Sequence, residues 1–68
     1  MARRRIDPRI LIGLRRQLGM TQEDLARELD ASTRTIQRWE AGQVTPTPVF
    51  RRLLRKLAAD ASINISGF

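Results

Sequence analysis

The 68-residue sequence contains no cysteine, no histidine and no tyrosine. Without cysteine, it can form neither a disulfide nor a thiolate metal site. Without histidine, it lacks the most common general base and the most common metal ligand of proteins, and tyrosine is missing as a further catalytic group. We therefore expect that this protein is not an enzyme and needs no cofactor.

A long apolar run is also missing from the chain. No stretch is long enough to cross a bilayer or to form the middle of a signal peptide, and Met-Ala-Arg-Arg-Arg leads into a charged segment. We expect a cytoplasmic protein without a membrane partner.

Negative charge is scarce, since 13 lysines and arginines face 7 aspartates and glutamates, for a net charge of +6. The charge is unevenly spread: residues 1–20 hold six arginines and one acid, whereas residues 21–30 hold one arginine and four acids. A basic surface on so small a domain is typical of polyanion binding. Composition thus agrees with a nucleic-acid partner without proving one.

Residues 20–42 have the pattern of two short helices joined by a tight turn. Thr21 suits the N-cap of the first helix, and an apolar stripe follows it at Leu25, Ala26 and Leu29. Asp30 comes at the corner, where its residue type tolerates a left-handed backbone better than most.

The second helix of this pair has one apolar and one polar edge. Ser32 suits its N-cap, Ile36 and Trp39 repeat at three residues toward the first helix, and Gly42 suits its C-terminal end. The other edge carries hydrogen-bonding side chains and is free to read a ligand. Those side chains are Thr33, Arg34, Gln37 and Arg38.

A helix is expected on each side of the central pair. The first has Asp7 as its cap, Pro8 at its first position and Gly19 at its end. The last has Thr47 as its cap and Pro48 at its first position. We expect helices near residues 8–18, 21–29, 32–41 and 47–59. The last is predicted to bury Val49, Phe50, Leu53, Leu54 and Leu57, and to expose Arg51, Arg52, Arg55 and Lys56.

This order of residues resembles the Cro/repressor (Xre-like) helix-turn-helix family over roughly residues 8–59. The resemblance implies an all-α, compact four- to five-helix lambda-repressor-like DNA-binding domain of bacterial or phage origin. The sequence departs from the family at Asp30, where glycine is usual, at Ala41, where a polar residue is common, and after Ala59, where no fifth helix is expected. The matching pieces are Leu18-Gly19-Met20-Thr21-Gln22, Leu25-Ala26, Ser32, Ile36, Trp39-Glu40 and Gly42.

The resemblance implies three sets of site residues and a homodimer on double-stranded DNA. A salt bridge between Arg15 and Glu40 would tie the first helix to the recognition helix. Contacts to base edges are implied for Ser32, Thr33, Arg34, Gln37 and Arg38. Contacts to phosphates are implied for Arg15, Thr21, Gln22, Gln43, Thr45 and Thr47.

Each assignment has a plainer alternative. The polar edge of the recognition helix could be an ordinary exposed face, Gln22 a solvated side chain, and Arg15 and Glu40 two exposed charges. The four charges of the last helix are expected to be solvated. Residues 1–6 are a basic arm that could bind a minor groove or phosphates, and that we expect to be flexible without a partner. The domain itself would span residues 7–60.

The tail, residues 61–68, alternates Ile63 and Ile65 with small polar residues, a pattern typical of a short β-strand. No second strand is expected elsewhere, so it could pair only with the same segment of another subunit. A frayed terminus is the alternative. The possible dimer contacts are Leu54, Leu57, Ile63, Ile65 and Phe68.

We therefore expect a sequence-specific transcriptional regulator, a repressor that binds a pseudo-palindromic operator as a dimer. Two alternatives stay open. The chain could be an antitoxin-like protein that binds a toxin and regulates its own promoter. It could also be a bridging module that uses the same fold to contact proteins alone.

Overall fold

The computed structural model describes residues 7–65, which form four helices and no strand. The helices are α1 (Pro8–Gln17), α2 (Gln22–Glu28), α3 (Thr33–Glu40) and α4 (Pro48–Asp60). This confirms the all-α fold with the helix-turn-helix formed by α2 and α3. None of these helices is long and apolar enough to cross a membrane. The basic arm of residues 1–6 and Phe68 lie outside the described residues.

Three helices begin at the side-chain caps that the sequence indicates. Asp7 Oδ1 accepts a hydrogen bond from Arg9 N at 2.9 Å at the start of α1. Thr21 caps α2 and Ser32 caps α3 in the same way. Thr47 is the N-cap of α4 by its backbone, but its side chain makes no capping hydrogen bond. Each of these caps depends on residues two or three positions away, which is why the sequence indicates their positions.

All four described helices end in the same turn, in which one residue adopts a left-handed backbone. In α1 the N–H of Met20 bonds to Arg15 O and that of Gly19 to Arg16 O, both at 3.0 Å, which is the Schellman motif. The left-handed residues are Gly19 (φ 68°), Asp30 (φ 55°), Gly42 (φ 77°) and Ser62 (φ 57°). Two of these four positions therefore carry a side chain at a conformation that favours glycine.

The core joins all four helices. Trp39 of α3 and Phe50 of α4 meet edge to face with ring centroids 5.1 Å apart, which ties the recognition helix to α4. The buried residues of this core are Leu11, Leu14, Leu25, Ala26, Leu29, Ile36, Trp39, Leu54 and Ala58.

The predicted buried stripe of α4 is wrong at two positions. Val49 is 66% exposed and Leu53 is 39% exposed, whereas Ala58, which the prediction omitted, is buried. Contact with Trp39 turns Phe50 inward, and the positions four and eight residues later, Leu54 and Ala58, follow it. The edge with Val49 and Leu53 is thereby left outside.

The predicted solvation of the four charged residues of α4 also needs a correction. Arg51 is half-buried, and its Nε has no hydrogen-bond partner among the described residues. Its position one residue after Phe50 brings it to the border of the buried stripe.

The tail differs from the expected strand within residues 61–65. Ser62 turns the chain back after α4, and Ile63 N donates to Ala58 O at 2.8 Å. Ile63 and Ile65 then pack against the core of their own chain. Leu54, one of the predicted dimer contacts, is fully buried within its own chain, so it offers no exposed surface to a second subunit in this structure. The left-handed turn at Ser62 breaks the extended conformation that the alternating isoleucines suggest.

Candidate nucleic-acid interface

The start of α2 is held by a reciprocal pair of hydrogen bonds. Thr21 Oγ1 accepts from Asp24 N and Asp24 Oδ2 accepts from Thr21 N, each at 3.0 Å. The bond from the Thr21 backbone N–H lowers the pKa of Asp24, as do bonds from the Thr21 hydroxyl and from Arg27. This arrangement is a capping box, and it fixes where the first residues of α2 stand beside α3.

The recognition helix α3 has one edge in the core and the other in solvent. Ile36 and Trp39 are buried, whereas Arg34, Gln37 and Arg38 are exposed. With their side chains buried, Ile36 and Trp39 hold the helix in place, and the exposed edge projects three side chains with hydrogen-bond donors. We call this exposed edge, together with Thr33 and Ser32 at its N-terminal end, the reading edge.

The N-terminal end of the reading edge is less open than its middle. Ser32 Oγ accepts from Thr35 N at 3.1 Å and lies 2.8 Å from Thr35 Oγ1, so its hydroxyl is engaged in capping. Thr33 is half-buried and lines two shallow grooves between α2 and α3. One of these grooves is formed with Gln37, Thr21, Gln22 and Glu23.

Glu23 is a residue of this surface that sequence reasoning missed. It is exposed and lines both grooves beside the reading edge. The sequence suggests for it only a favourable interaction with the positive end of α2. Its place at the second position of α2, directly after Gln22, was the available signal. A carboxylate here introduces negative charge into an otherwise hydrogen-bond-donating surface.

Arg15, Glu40 and Gln22 form a hydrogen-bonded network that joins three helices. Glu40 Oε2 accepts from Arg15 Nε at 2.6 Å, and Glu40 Oε1 accepts from Arg15 Nη2 at 3.1 Å and from Gln22 Nε2 at 3.0 Å. Arg15 Nη1 also donates to Met20 O at 3.0 Å. The side chains of Arg15 and Glu40 are only 15% and 8% exposed, so this fork-shaped ion pair is largely removed from water.

The ionisation of Glu40 follows from these contacts. Burial alone raises the pKa of Glu40, but the hydrogen bonds from Arg15 and Gln22 outweigh burial, so its pKa lies below the usual value. The bond to Glu40 raises the pKa of Arg15 in turn. Both groups are therefore charged at neutral pH, and each compensates the other.

The six residues expected to contact phosphates differ in their surroundings. Arg15 is largely buried and donates from three nitrogens within the network. Gln22 is half-buried and bonded to Glu40. The other four are exposed, at the start of α2 and between α3 and α4: Thr21, Gln43, Thr45 and Thr47. Direct contact with a polyanion is thus open to these four and restricted for Arg15. Gln22 has one amide N–H engaged by Glu40, and it also lines the groove between α2 and α3.

Among residues 7–65, no three histidine, cysteine, aspartate or glutamate side chains lie together in a way that could hold a metal ion. What α3 presents is an exposed row of side chains with hydrogen-bond donors, namely Arg34, Gln37 and Arg38. Such a row can recognise acceptor groups on a partner surface.

Two comparisons with known proteins bear on this geometry. A family model described as Helix-turn-helix matches residues 11–59, which include α2, α3 and most of α1 and α4. The chain is also 45% identical over 47 residues to the mycobacterial cidal antitoxin MbcA of Mycobacterium bovis and of two strains of Mycobacterium tuberculosis. That match covers 66% of this chain and 42% of the length of each antitoxin, so the chain spans well under half of these relatives.

Proposed function

We propose that this chain, which belongs to the helix-turn-helix family of DNA-binding regulators, is a transcriptional repressor. It would recognise an operator sequence through the reading edge of α3. The observation that carries this proposal is the exposure of Arg34, Gln37 and Arg38 on a helix whose other edge is fixed by buried Ile36 and Trp39. A rigid helix with such an edge fits the major groove of DNA.

Each residue of the reading edge has a chemistry that suits base edges. The guanidinium groups of Arg34 and Arg38 can each donate two hydrogen bonds to O6 and N7 of guanine. Gln37 can pair with adenine in the same bidentate way, and the Thr33 methyl group can contact the methyl of thymine. The hydroxyl of Ser32 caps α3, so we assign Ser32 a smaller part in base recognition than the other four residues.

Phosphate contacts are proposed on both sides of α3, where they would set the register of the helix in the groove. Thr21 and Gln22 lie before α3, and three exposed residues lie after it: Gln43, Thr45 and Thr47. For Arg15 we propose a part in holding this surface together, since three of its nitrogens already donate within the protein.

A homodimer would let two copies of α3 read two half-sites about 34 Å apart, one turn of DNA. The exposed side chains Val49 and Leu53 of α4, with half-buried Leu57, Ile63 and Ile65, supply apolar surface for that contact. An operator occupied in this way would exclude polymerase without further chemistry. The setting for this activity would be the cytoplasm.

The decisive experiment is selection of binding sites from random duplex DNA with the purified protein. We expect enrichment of a symmetric sequence whose half-sites are about 10 bp apart, and an affinity that falls with salt with a log–log slope of about −4 or steeper. Failure to enrich any sequence, together with a flat salt response, would contradict a role in DNA recognition.

A second function is favoured by the similarity to the antitoxin MbcA. Under this alternative the chain would bind a toxin protein and also regulate the promoter they share. Affinity capture from the cell of origin separates the two: a protein partner in a fixed ratio to this chain supports the antitoxin function. Recovery of the chain with DNA alone supports the plain repressor.

A further inference from the structure

The carboxylate of Glu40, at the end of α3, has both oxygens occupied by hydrogen-bond donors. Two donors come from Arg15 and the third is Nε2 of Gln22, 3.0 Å from Oε1. A carboxylate only accepts hydrogen bonds, so the Gln22 side chain must direct its NH₂ group, and not its carbonyl oxygen, toward Glu40. The orientation of the Gln22 amide is thereby determined by a residue of another helix.

We propose that Glu40 is a positioning residue for DNA binding, which holds one N–H of the Gln22 amide and so aims the other at a DNA phosphate. A phosphate oxygen only accepts hydrogen bonds, and the second N–H is the side-chain donor that Gln22 has left for it. This inference rests on the proposed function, in which Gln22 contacts DNA.

The position of Gln22 on the surface fits this role. Its side chain lines the groove between α2 and α3 that Thr33 and Gln37 of the reading edge also line. An unrestrained glutamine loses the freedom of several rotatable bonds when it binds a ligand, whereas a glutamine already held in the free protein does not. Holding Gln22 in advance is expected to raise DNA affinity about tenfold.

Arg15 extends the same arrangement to α1. It binds Glu40 through Nε and Nη2, and its Nη1 donates to Met20 O, in the turn between α1 and α2. Glu40 is therefore held on one side by a fork-shaped ion pair while it holds Gln22 on the other. In this way Arg15 of α1 influences the DNA-facing surface through Glu40.

The test compares two variants that remove the same charge, Glu40→Gln and Glu28→Gln. Glu28 is exposed at the end of α2. Loss of either carboxylate makes the protein more positive, so long-range electrostatics alone would tighten the binding of both variants to DNA. We expect Glu28→Gln to bind a duplex containing the selected operator as tightly as the wild type or more so. A glutamine at position 40 has one acceptor oxygen in place of two, and the charged Arg15 competes for it with Gln22. We therefore expect Glu40→Gln to bind the same duplex about tenfold more weakly.

The double variant Gln22→Ala/Glu40→Gln shows whether Glu40 acts through Gln22. We expect it to bind no more weakly than Gln22→Ala alone, because Glu40 then has no amide to position. Equal losses from Glu40→Gln with and without Gln22 would overturn the inference, and so would wild-type affinity of Gln22→Ala. In both cases operator binding by the wild type would still support the proposed function, whereas a wild type that binds no DNA would refute both.

Circular dichroism checks that Glu40→Gln is folded. If this variant is not folded, NMR of the wild type tests whether Glu40 holds the Gln22 amide. In the ¹⁵N–¹H spectrum, one side-chain amide proton of Gln22 should be shifted downfield in the free protein, and the other should shift when the operator duplex is added. The exposed Gln17 of α1 is the internal control. Amide signals of Gln22 that match those of Gln17 without DNA, or that do not respond to DNA, would overturn the inference.

Discussion

Replacing Asp30 by glycine is expected to stabilise the protein, because Asp30 holds a left-handed backbone (φ 55°) where α2 ends. That conformation costs an L residue roughly 1–2 kcal/mol, with the smaller value apt for aspartate. The carboxylate also lies at the negative end of the α2 dipole, at a cost of about 0.3–1 kcal/mol. Glycine gives the unfolded chain more conformational entropy, which reduces the gain in stability by about 0.5–1 kcal/mol. The expected net gain for Asp30→Gly is about 1 kcal/mol.

Gly19 supplies the matched control, since it has the corresponding position at the end of α1 with φ 68°. A Cβ added there would meet no atom within 4 Å, so Gly19→Ala tests the backbone conformation alone. We expect it to lose about 1 kcal/mol. The variant Asp30→Asn separates the two causes, because it removes the charge and keeps a residue type that tolerates the left-handed region.

Urea unfolding measures the free energy of unfolding of the three variants, and thermal unfolding should show shifts of about 4–8 °C for each kcal/mol in a domain of this size. A less stable Asp30→Gly variant, or a Gly19→Ala variant as stable as the wild type, would show that the left-handed backbone at Asp30 carries no such cost. A gain in Asp30→Asn equal to that in Asp30→Gly would assign the whole effect to charge.

Three further predictions concern specificity, the core and pH. Arg34→Ala should weaken the free energy of binding to the selected operator by roughly 1–3 kcal/mol and remove the preference at one base pair in each half-site. Competition with single-base operator variants measures this preference, and a uniform loss of affinity for all sequences would exclude base recognition by Arg34. Leu54→Ala should lower the free energy of unfolding by about 2–5 kcal/mol, because Leu54 is fully buried. The neighbouring Leu53 is 39% exposed, so Leu53→Ala should lower it by much less at a protein concentration where the chain is monomeric. Equal losses in urea unfolding would contradict the observed orientation of α4. The pKa of Glu40 is lowered in the folded protein, so its contribution to stability is fully present above its unfolded pKa and is lost as the pH falls through its folded pKa. The free energy of unfolding of the wild type should therefore fall more steeply in acid than that of Glu40→Gln.

The sequence by itself determined the features of this protein that depend on neighbours within a few residues. Thr21 and Ser32 cap α2 and α3, and Gly19 and Gly42 end α1 and α3, because each acts on backbone groups within its own turn. The spacing of apolar residues in α3 likewise indicated which edge faces the core, since a short helix has a single apolar edge to bury.

Tertiary structure alone decided the features that depend on distant residues. The sequence offers α4 more apolar positions than one small core can cover, and contact with α3 selected Leu54 and Ala58 over Val49. The link from Gln22 to Glu40 spans 18 positions and has no local pattern to announce it. The turn at Ser62 folds the tail onto the core through packing, against the preference of its residue type. These outcomes depend on competition among elements for one buried volume, which local spacing does not describe.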